Sequence, residues 1–425
     1  MTSETLNIDL RCLPAILGGS PTISLDHGSI TKWPNINTDD ETAVLNVLRD
    51  GDISRHPVVQ ELENDYANFT GRRHGLAHSN GTTALLAAFY SIGLKPGDEV
   101  LVPSATFWAS VLPMMWLGAV PVFCESEPQR MGIDAVDMEA KITDKTRAIV
   151  VVHLWGLPSK MREIYALAKK YDLKIIEDAS HAHGAYWRNK PCGALGDVSV
   201  FSLQGDKLSP AGEGGVLLTD NDEYFERAVS LGDIHRIAEL EGPARRFAAT
   251  SFGMKTRIAP MSAALGRSQF KRLNKHNLQR NRNTVFLAKR LENLGFDTFM
   301  PEKHLKRVYF EFLIKIDNQS CHLPVELLVE ALRQEGCDVS APRYPLLHQQ
   351  PFFTEGAFKD VLRLNADQTS PDYKNVSLPV TEAANNGLLK LPSFPGKDNG
   401  ILEQYARAFE KVMAYQNEIA VALHA

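Results

Sequence analysis

The chain has little of anything that would mark an unusual environment. Its five cysteines, Cys12, Cys124, Cys192, Cys321 and Cys337, are odd in number, dispersed and free of CxxC spacing. That pattern argues against a disulfide framework and against a zinc site, so no metal is expected and a reducing cytoplasm is. Apolar runs are short. Ala148 to Leu154, among the longest, falls far below what a membrane span requires. Neither sign of charge dominates: 46 Lys and Arg stand against 51 Asp and Glu, for a net charge of −5. No basic field exists to hold nucleic acid or an anionic lipid surface. The opening Met1 to Leu10 lacks the basic start and apolar core of a secretory signal, and export is not expected.

What remains is the composition of an ordinary soluble globular protein, 44% apolar and 23% charged over 425 residues. That length favours two or three domains. From about Gly75, β-branched runs alternate with amphipathic stretches, the signature of βαβ units and a mainly parallel sheet. The spacing predicts a helix over Thr82 to Ile92, a turn at Lys95 to Asp98, and buried strands at Glu99 to Val102, Ala119 to Phe123, Arg147 to His153, Leu173 to Glu177, Val198 to Ser202 and Val216 to Thr219. Met161 to Lys170 is the clearest helix between them. Beyond Arg267 a long charged helical region runs through Leu291. After it come a strand at Tyr309 to Ile316, a helix at Val325 to Glu335, turn formers from Gln349 to Pro379 and a terminal helix at Gly400 to Ala414. The chain is read as an N-terminal extension (1–30), a large α/β domain (31–275) and a smaller α+β domain (276–425).

The chemistry centres on Lys207, just past the strand Val198 to Ser202 and before Gly212, Gly214 and Gly215. Ligands of α/β folds sit outside the carboxyl ends of parallel strands, and the glycines let backbone approach closely. An amine there can lose its proton by desolvation and form a Schiff base with an aldehyde. Taken singly, Lys207 is most simply a solvated loop residue; its company says otherwise. Asp178 ends a predicted buried strand, where holding a cationic ring nitrogen would offset part of the cost of burying a carboxylate. His181, three residues on, can serve a phenolic oxygen, or act as a core histidine. Asn80-Gly81-Thr82 opens a helix whose first amides and dipole suit a phosphate, although the same residues make a plain N-cap. Ser202 offers a second hydroxyl for that phosphate, and Phe107 an aromatic face for a planar ring or for the core.

These segments, in this order, resemble the DegT/DnrJ/EryC1/StrS family of sugar aminotransferases. The likeness runs from Gly18-Gly19 through Asn80-Gly81-Thr82, Thr106-Phe107, His153-Leu-Trp-Gly156, Glu177-Asp-Ala and Ser202 to Gly215, then Arg257 to Gly266, Leu347-His348 and Leu391-Pro392. Around the lysine the family pattern is kept, with Leu203 where an aromatic is usual. The resemblance implies a fold-type I pyridoxal-phosphate enzyme, a homodimer with active sites shared between subunits. It also implies a reaction passing through pyridoxamine phosphate: an amino group leaves glutamate or glutamine for a keto-sugar or keto-cyclitol, in amino-sugar or secondary-metabolite biosynthesis. It makes Lys207 the Schiff-base lysine, Asp178 the pyridine-nitrogen partner and His181 the partner of the ring oxygen. Gly81, Thr82 and Ser202 become the phosphate cradle, and Phe107 the ring stack. Related dehydratases carry histidine in place of the lysine, so Lys207 favours transamination. One departure is Lys255, in Gly253-Met-Lys-Thr-Arg257, where many members have an asparagine that reaches the phosphate of the neighbouring subunit. His235 and His348 are candidates for the acceptor.

The rival readings are a dehydratase or an aminohydroxybenzoate-synthase-like enzyme of the same family, and a non-catalytic regulatory or structural paralogue. Intact Lys207, Asp178 and His181 count against the last.

Overall fold

Alternating buried strands and amphipathic helices build a seven-stranded sheet in this computed structural model, which describes residues 13–316, 319–366 and 368–424. Met1 to Leu10 and Cys12, used in the export and cysteine readings, lie outside the described residues. The strands are β1 (His74–His78), β2 (Glu99–Pro103), β3 (Val120–Cys124), β4 (Thr146–Val152), β5 (Lys174–Asp178), β6 (Val198–Ser202) and β7 (Gly215–Thr219). They are ordered β1-β7-β6-β5-β4-β2-β3, and β7 alone runs opposite in direction to the other six. Period-2 alternation sorts side chains between the two faces. Ala148, Val150 and Val152 of β4 pack with helix α3 (Gly81–Ser91) through Ala84, Leu85 and Phe89. Ile149 and Val151 face Leu62 and Tyr66 of α2 (Val58–Thr70), with Met161 and Ile164 of α4 (Met161–Tyr171).

A third cluster forms where α7 (Leu273–Glu292), α8 (Val325–Gln334) and α9 (Ile401–Ala414) cover the hairpin-like pair β8 (Phe312–Lys315) and β9 (Leu388–Leu391). Leu287, Leu328, Tyr405 and Phe409 are its centre, and Ile30 reaches into it.

The strands and helices foreseen around the site are present within a residue or two. Three features differ. The long charged helical region is two helices, α6 (Pro260–Lys271) and α7, broken at Arg272. The strand expected over Tyr309 to Ile316 is shortened to β8, because the amides of Val308 and Phe310 donate to the carbonyls of Gly156 (3.1 Å) and Trp155 (3.3 Å) instead of to a neighbouring strand. Strand β1 has no foreseen counterpart; its edge position and mixed His74-Gly-Leu-Ala-His78 sequence give a weak signal.

Adjacent residues of β5 point to opposite faces, with different consequences. Glu177, fully buried, accepts from the amides of Gly193, Leu195 and Gly196, from Ser199 Oγ (2.7 Å) and from His153 Nε2 (3.0 Å). Burial alone would raise its pKa; the bonds led by His153 outweigh that and hold it near 2. The folded value lies below the unfolded one, so this carboxylate contributes stability that is complete above about pH 4.3. That contribution is lost as the pH falls through about 2. Glu177→Gln is expected to cost about 1–3 kcal/mol at pH 7 by urea denaturation, because an amide cannot accept all five bonds and leaves buried donors unpaired. The gap from wild type should narrow at pH 3; a gap independent of pH would refute the assignment.

Candidate active site

Asp178, the other face of the β5 end, opens into a cavity of about 1030 Å³ above the carboxyl ends of the parallel strands. The walls come from the start of α3, the segment after β2, the ends of β5 and β6, and residues 343–353. Gly81, Thr82, Phe107, Asp178, His181, Ser202 and Lys207 all line it.

Lys207 is 8% exposed. After β6 the chain turns sharply, with Lys207 N–H donating to the Gln204 carbonyl at 2.8 Å and Leu203 N–H to Gly214 at 2.8 Å. The ammonium nitrogen sits 4.2 Å from the centroid of Phe310. Among the described residues it has no hydrogen-bond acceptor and no carboxylate within ion-pair distance. Burial pushes its pKa down to about 8; Asp178 opposes that shift and Arg343 adds to it. About a tenth is therefore free amine at pH 7, far more than for an ordinary lysine, as a nucleophile toward carbonyls requires.

Asp178 is anchored from two sides. Ser110 Oγ donates to Oδ2 at 2.6 Å and the Ser180 amide to Oδ1 at 3.0 Å, while Thr106 Oγ1 lies 3.0 Å from Ser110 Oγ. The carboxylate is thus fixed in rotation.

His181 lies between Phe310 (centroids 4.1 Å, 17°) and Tyr344 (5.8 Å, 6°). Burial, then Lys207 and Arg343, hold its pKa well below the ordinary value, so the ring is neutral. The Trp155 amide donates to Nδ1 at 3.4 Å, which places the proton on Nε2, 3.3 Å from Tyr344 Oη. Trp155 holds this position at φ 54°, and a Cβ on Gly156 would meet the Val308 carbonyl oxygen at 2.2 Å. His181 therefore presents a donor to the site.

The start of α3 is pressed against β6. Asn80 caps the helix by accepting from Thr83 N–H at 2.8 Å, leaving the amides of Gly81 and Thr82 as first-turn donors. A Cβ on Gly81 would lie 2.8 Å from Ser202 Cβ, and one on Gly215 would lie 2.6 Å from the Asn80 carbonyl oxygen. Glycine at both places lets the helix terminus and the Ser202 hydroxyl converge.

Of the remaining candidates, Phe107 stands at the cavity mouth, 39% exposed, 4.8 Å from Trp108 and 5.7 Å from Tyr344 between ring centroids. Lys255 is exposed and outside the cavity lining of its own chain. His235 does not reach the cavity either: it is exposed, with Nδ1 2.9 Å from Arg55 Nη2. His348 is buried behind the wall, Nδ1 2.7 Å from Ser104 Oγ and Nε2 3.0 Å from Glu382 Oε1. Both its ring nitrogens are occupied, so in this structure it fastens the segment carrying Arg343 and Tyr344 to the end of β2. Those two residues, with Ser110, Ser180 and Phe310, are the contributors that sequence reasoning missed. Arg343 bridges buried Glu311 (2.6 Å) to Asp206 (3.1 Å), the residue before Lys207.

Comparison with known proteins identifies the fold and the family. GDP-perosamine synthase of Caulobacter vibrioides is 30% identical over 359 residues, covering 84% of this chain and 90% of that protein. The solved structure of DesI in the presence of its TDP-sugar product superposes with a TM-score of 0.80 at 25% identity, covering 98% of this chain and 100% of that one. That of 3-amino-5-hydroxybenzoic acid synthase gives 0.76 at 26% identity, covering 92% and 99%. The fold is that of these aminotransferase-like α/β proteins. A model of the DegT/DnrJ/EryC1/StrS aminotransferase family matches residues 34–404, and the chain belongs to that family.

Proposed function

We propose that the chain is a pyridoxal-phosphate-dependent aminotransferase that moves an amino group from glutamate or glutamine to a keto-sugar or keto-cyclitol. The observation that carries it is a buried lysine without a direct ion pair, in one cavity with an anchored aspartate and a glycine-lined helix start. These residues fit a cofactor with an aldehyde, a basic ring nitrogen and a phosphate. When bound, such a group supplies an electron sink for a carbanion adjacent to nitrogen.

The chain's own residues do the rest. Lys207 Nζ would be the covalent anchor of such a group and, when free, the amine placed to move a proton. Asp178, held by Ser110 and Ser180, favours a protonated ring nitrogen. His181 Nε2–H would donate to the ring oxygen, Gly81, Thr82 and Ser202 would hold the phosphate, and Phe107 would cover the ring. Residues 31–275 form the cradle in this reading, and 276–425 close it with Arg343 and Tyr344. Shared sites in a homodimer would bring Lys255 to the partner's phosphate, and the exposed aromatics Phe107 and Trp108 suit such a seam. A cytoplasmic setting accords with the buried free thiols of Cys124, Cys192, Cys321 and Cys337; no described helix is long and apolar enough to cross a membrane.

GDP-perosamine synthase acts in sugar chemistry by its name, and DesI was solved with a TDP-sugar; these support a carbohydrate-like acceptor here. The test is a screen of keto-cyclitols, keto-sugar phosphates and nucleotide keto-sugars with glutamate or glutamine, followed by product analysis. Amine formation on one of these classes is expected. Deoxygenation without amine transfer, or an aromatic product, would establish the rival dehydratase or synthase reading.

A further inference from the structure

Trp33 and Arg280 play no part in the chemistry above, yet they adjoin its central residue. Trp33 Nε1 donates to the Lys207 carbonyl at 3.0 Å. The Arg280 guanidinium carbon lies 3.8 Å from the centroid of the same indole, and His276, one turn earlier on α7, meets it edge-on at 5.1 Å. Arg280 is 1% exposed. Among the described residues its Nε and Nη1 have no hydrogen-bond partner, and no carboxylate lies within ion-pair distance. A buried guanidinium without a counterion is a costly feature. Its evident partner is the indole face, where a desolvated cation is strongly attracted to the ring quadrupole.

The consequences converge on one peptide. The Lys207 N–H is fixed by the Gln204 carbonyl and its C=O by Trp33, so neither adjoining peptide plane is free to swing. A cation over the indole draws density from the ring and makes its N–H a stronger donor. Neutral His276, its pKa held near 4 by burial and by Arg280, closes the clamp without adding charge. We propose that Arg280 and Trp33 are positioning residues, a buried cation–indole stack through which the N-terminal segment and α7 set the direction of the Lys207 side chain. The inference rests on the role given to Lys207 above.

The test uses the cofactor-free full chain, so that it does not depend on turnover. Trace acetic anhydride competes among lysines as a function of pH, and mass spectrometry of the Lys207 peptide gives the midpoint of its reactivity. The wild-type midpoint is expected near 8. Trp33→Phe keeps a ring over Arg280 but has no N–H; a Lys207 side chain freed from its buried direction regains hydration, so its midpoint should rise by about half a unit or more towards that of an ordinary lysine. Arg280→Met should move it the same way and Arg280→Lys should keep it closer to wild type, which makes the test independent of any single variant's folding. Thermal midpoints are measured in parallel. Folded Trp33→Phe and Arg280→Met with the wild-type midpoint would overturn the positioning role while leaving the aminotransferase reading intact. A wild-type midpoint at the ordinary lysine value would likewise overturn the positioning role, and the aminotransferase reading is then decided separately by the product screen above.

Discussion

Lys207→Ala is expected to lower the rate of the half-reaction with the amino donor by about 10⁴-fold or more, general acid–base catalysis alone being worth about 10²–10⁴. The variant removes both the covalent anchor and the amine that carries the proton, while the rest of the cavity has no other lysine in its lining. Stability should change little or improve at neutral pH, because the cost of burying the wild-type ammonium exceeds the attraction of Asp178 and Glu311. Small primary amines should restore part of the rate, since they fit the space left over Phe310 and supply the missing nitrogen. Single-turnover kinetics with and without methylamine provides the check. Activity within tenfold of wild type, without added amine, would remove Lys207 from its assigned role.

The second large effect is expected at Asp178. Asp178→Asn preserves shape and the Ser180 amide bond but removes the charge that a protonated ring nitrogen needs. Breaking one side of a buried charged pair costs about 3–5 kcal/mol, which corresponds to a rate loss between about 10² and 10⁴. A cofactor analogue methylated at the ring nitrogen carries its positive charge permanently and should recover much of that loss. Rescue separates an electrostatic role from mere support of the fold. If the analogue leaves Asp178→Asn as slow as before while the variant binds it normally, the ring-nitrogen assignment is wrong.

Sequence reasoning reached the site through residues that sit at element ends. Lys207, Asp178 and Ser202 each terminate or follow a short apolar strand, and that pattern is local, so the strand and its chemistry are read together. Gly81 was legible for the same reason, as the opening of a capped helix. Phe310, Arg343 and Tyr344 were not, because they arrive from more than a hundred residues away and belong to no local motif. For His348 the neighbourhood suggests a ligand residue, and only the fold reveals that Ser104 and Glu382 occupy both its ring nitrogens in this structure. The shortening of β8 has a similar origin. Its predicted first residues have strand-like alternation, yet the amides of Val308 just before them and of Phe310 among them are spent on Gly156 and Trp155, the turn that also orients His181.

The central claim, that Lys207 is the covalent anchor of an aldehyde cofactor, is tested most directly by borohydride reduction of the protein incubated with pyridoxal phosphate, followed by peptide mapping. A single pyridoxyl adduct on the peptide containing Lys207, formed more readily as the pH rises through about 8, is the predicted result. An unlabelled Lys207 peptide, or an adduct confined to other lysines, would contradict it.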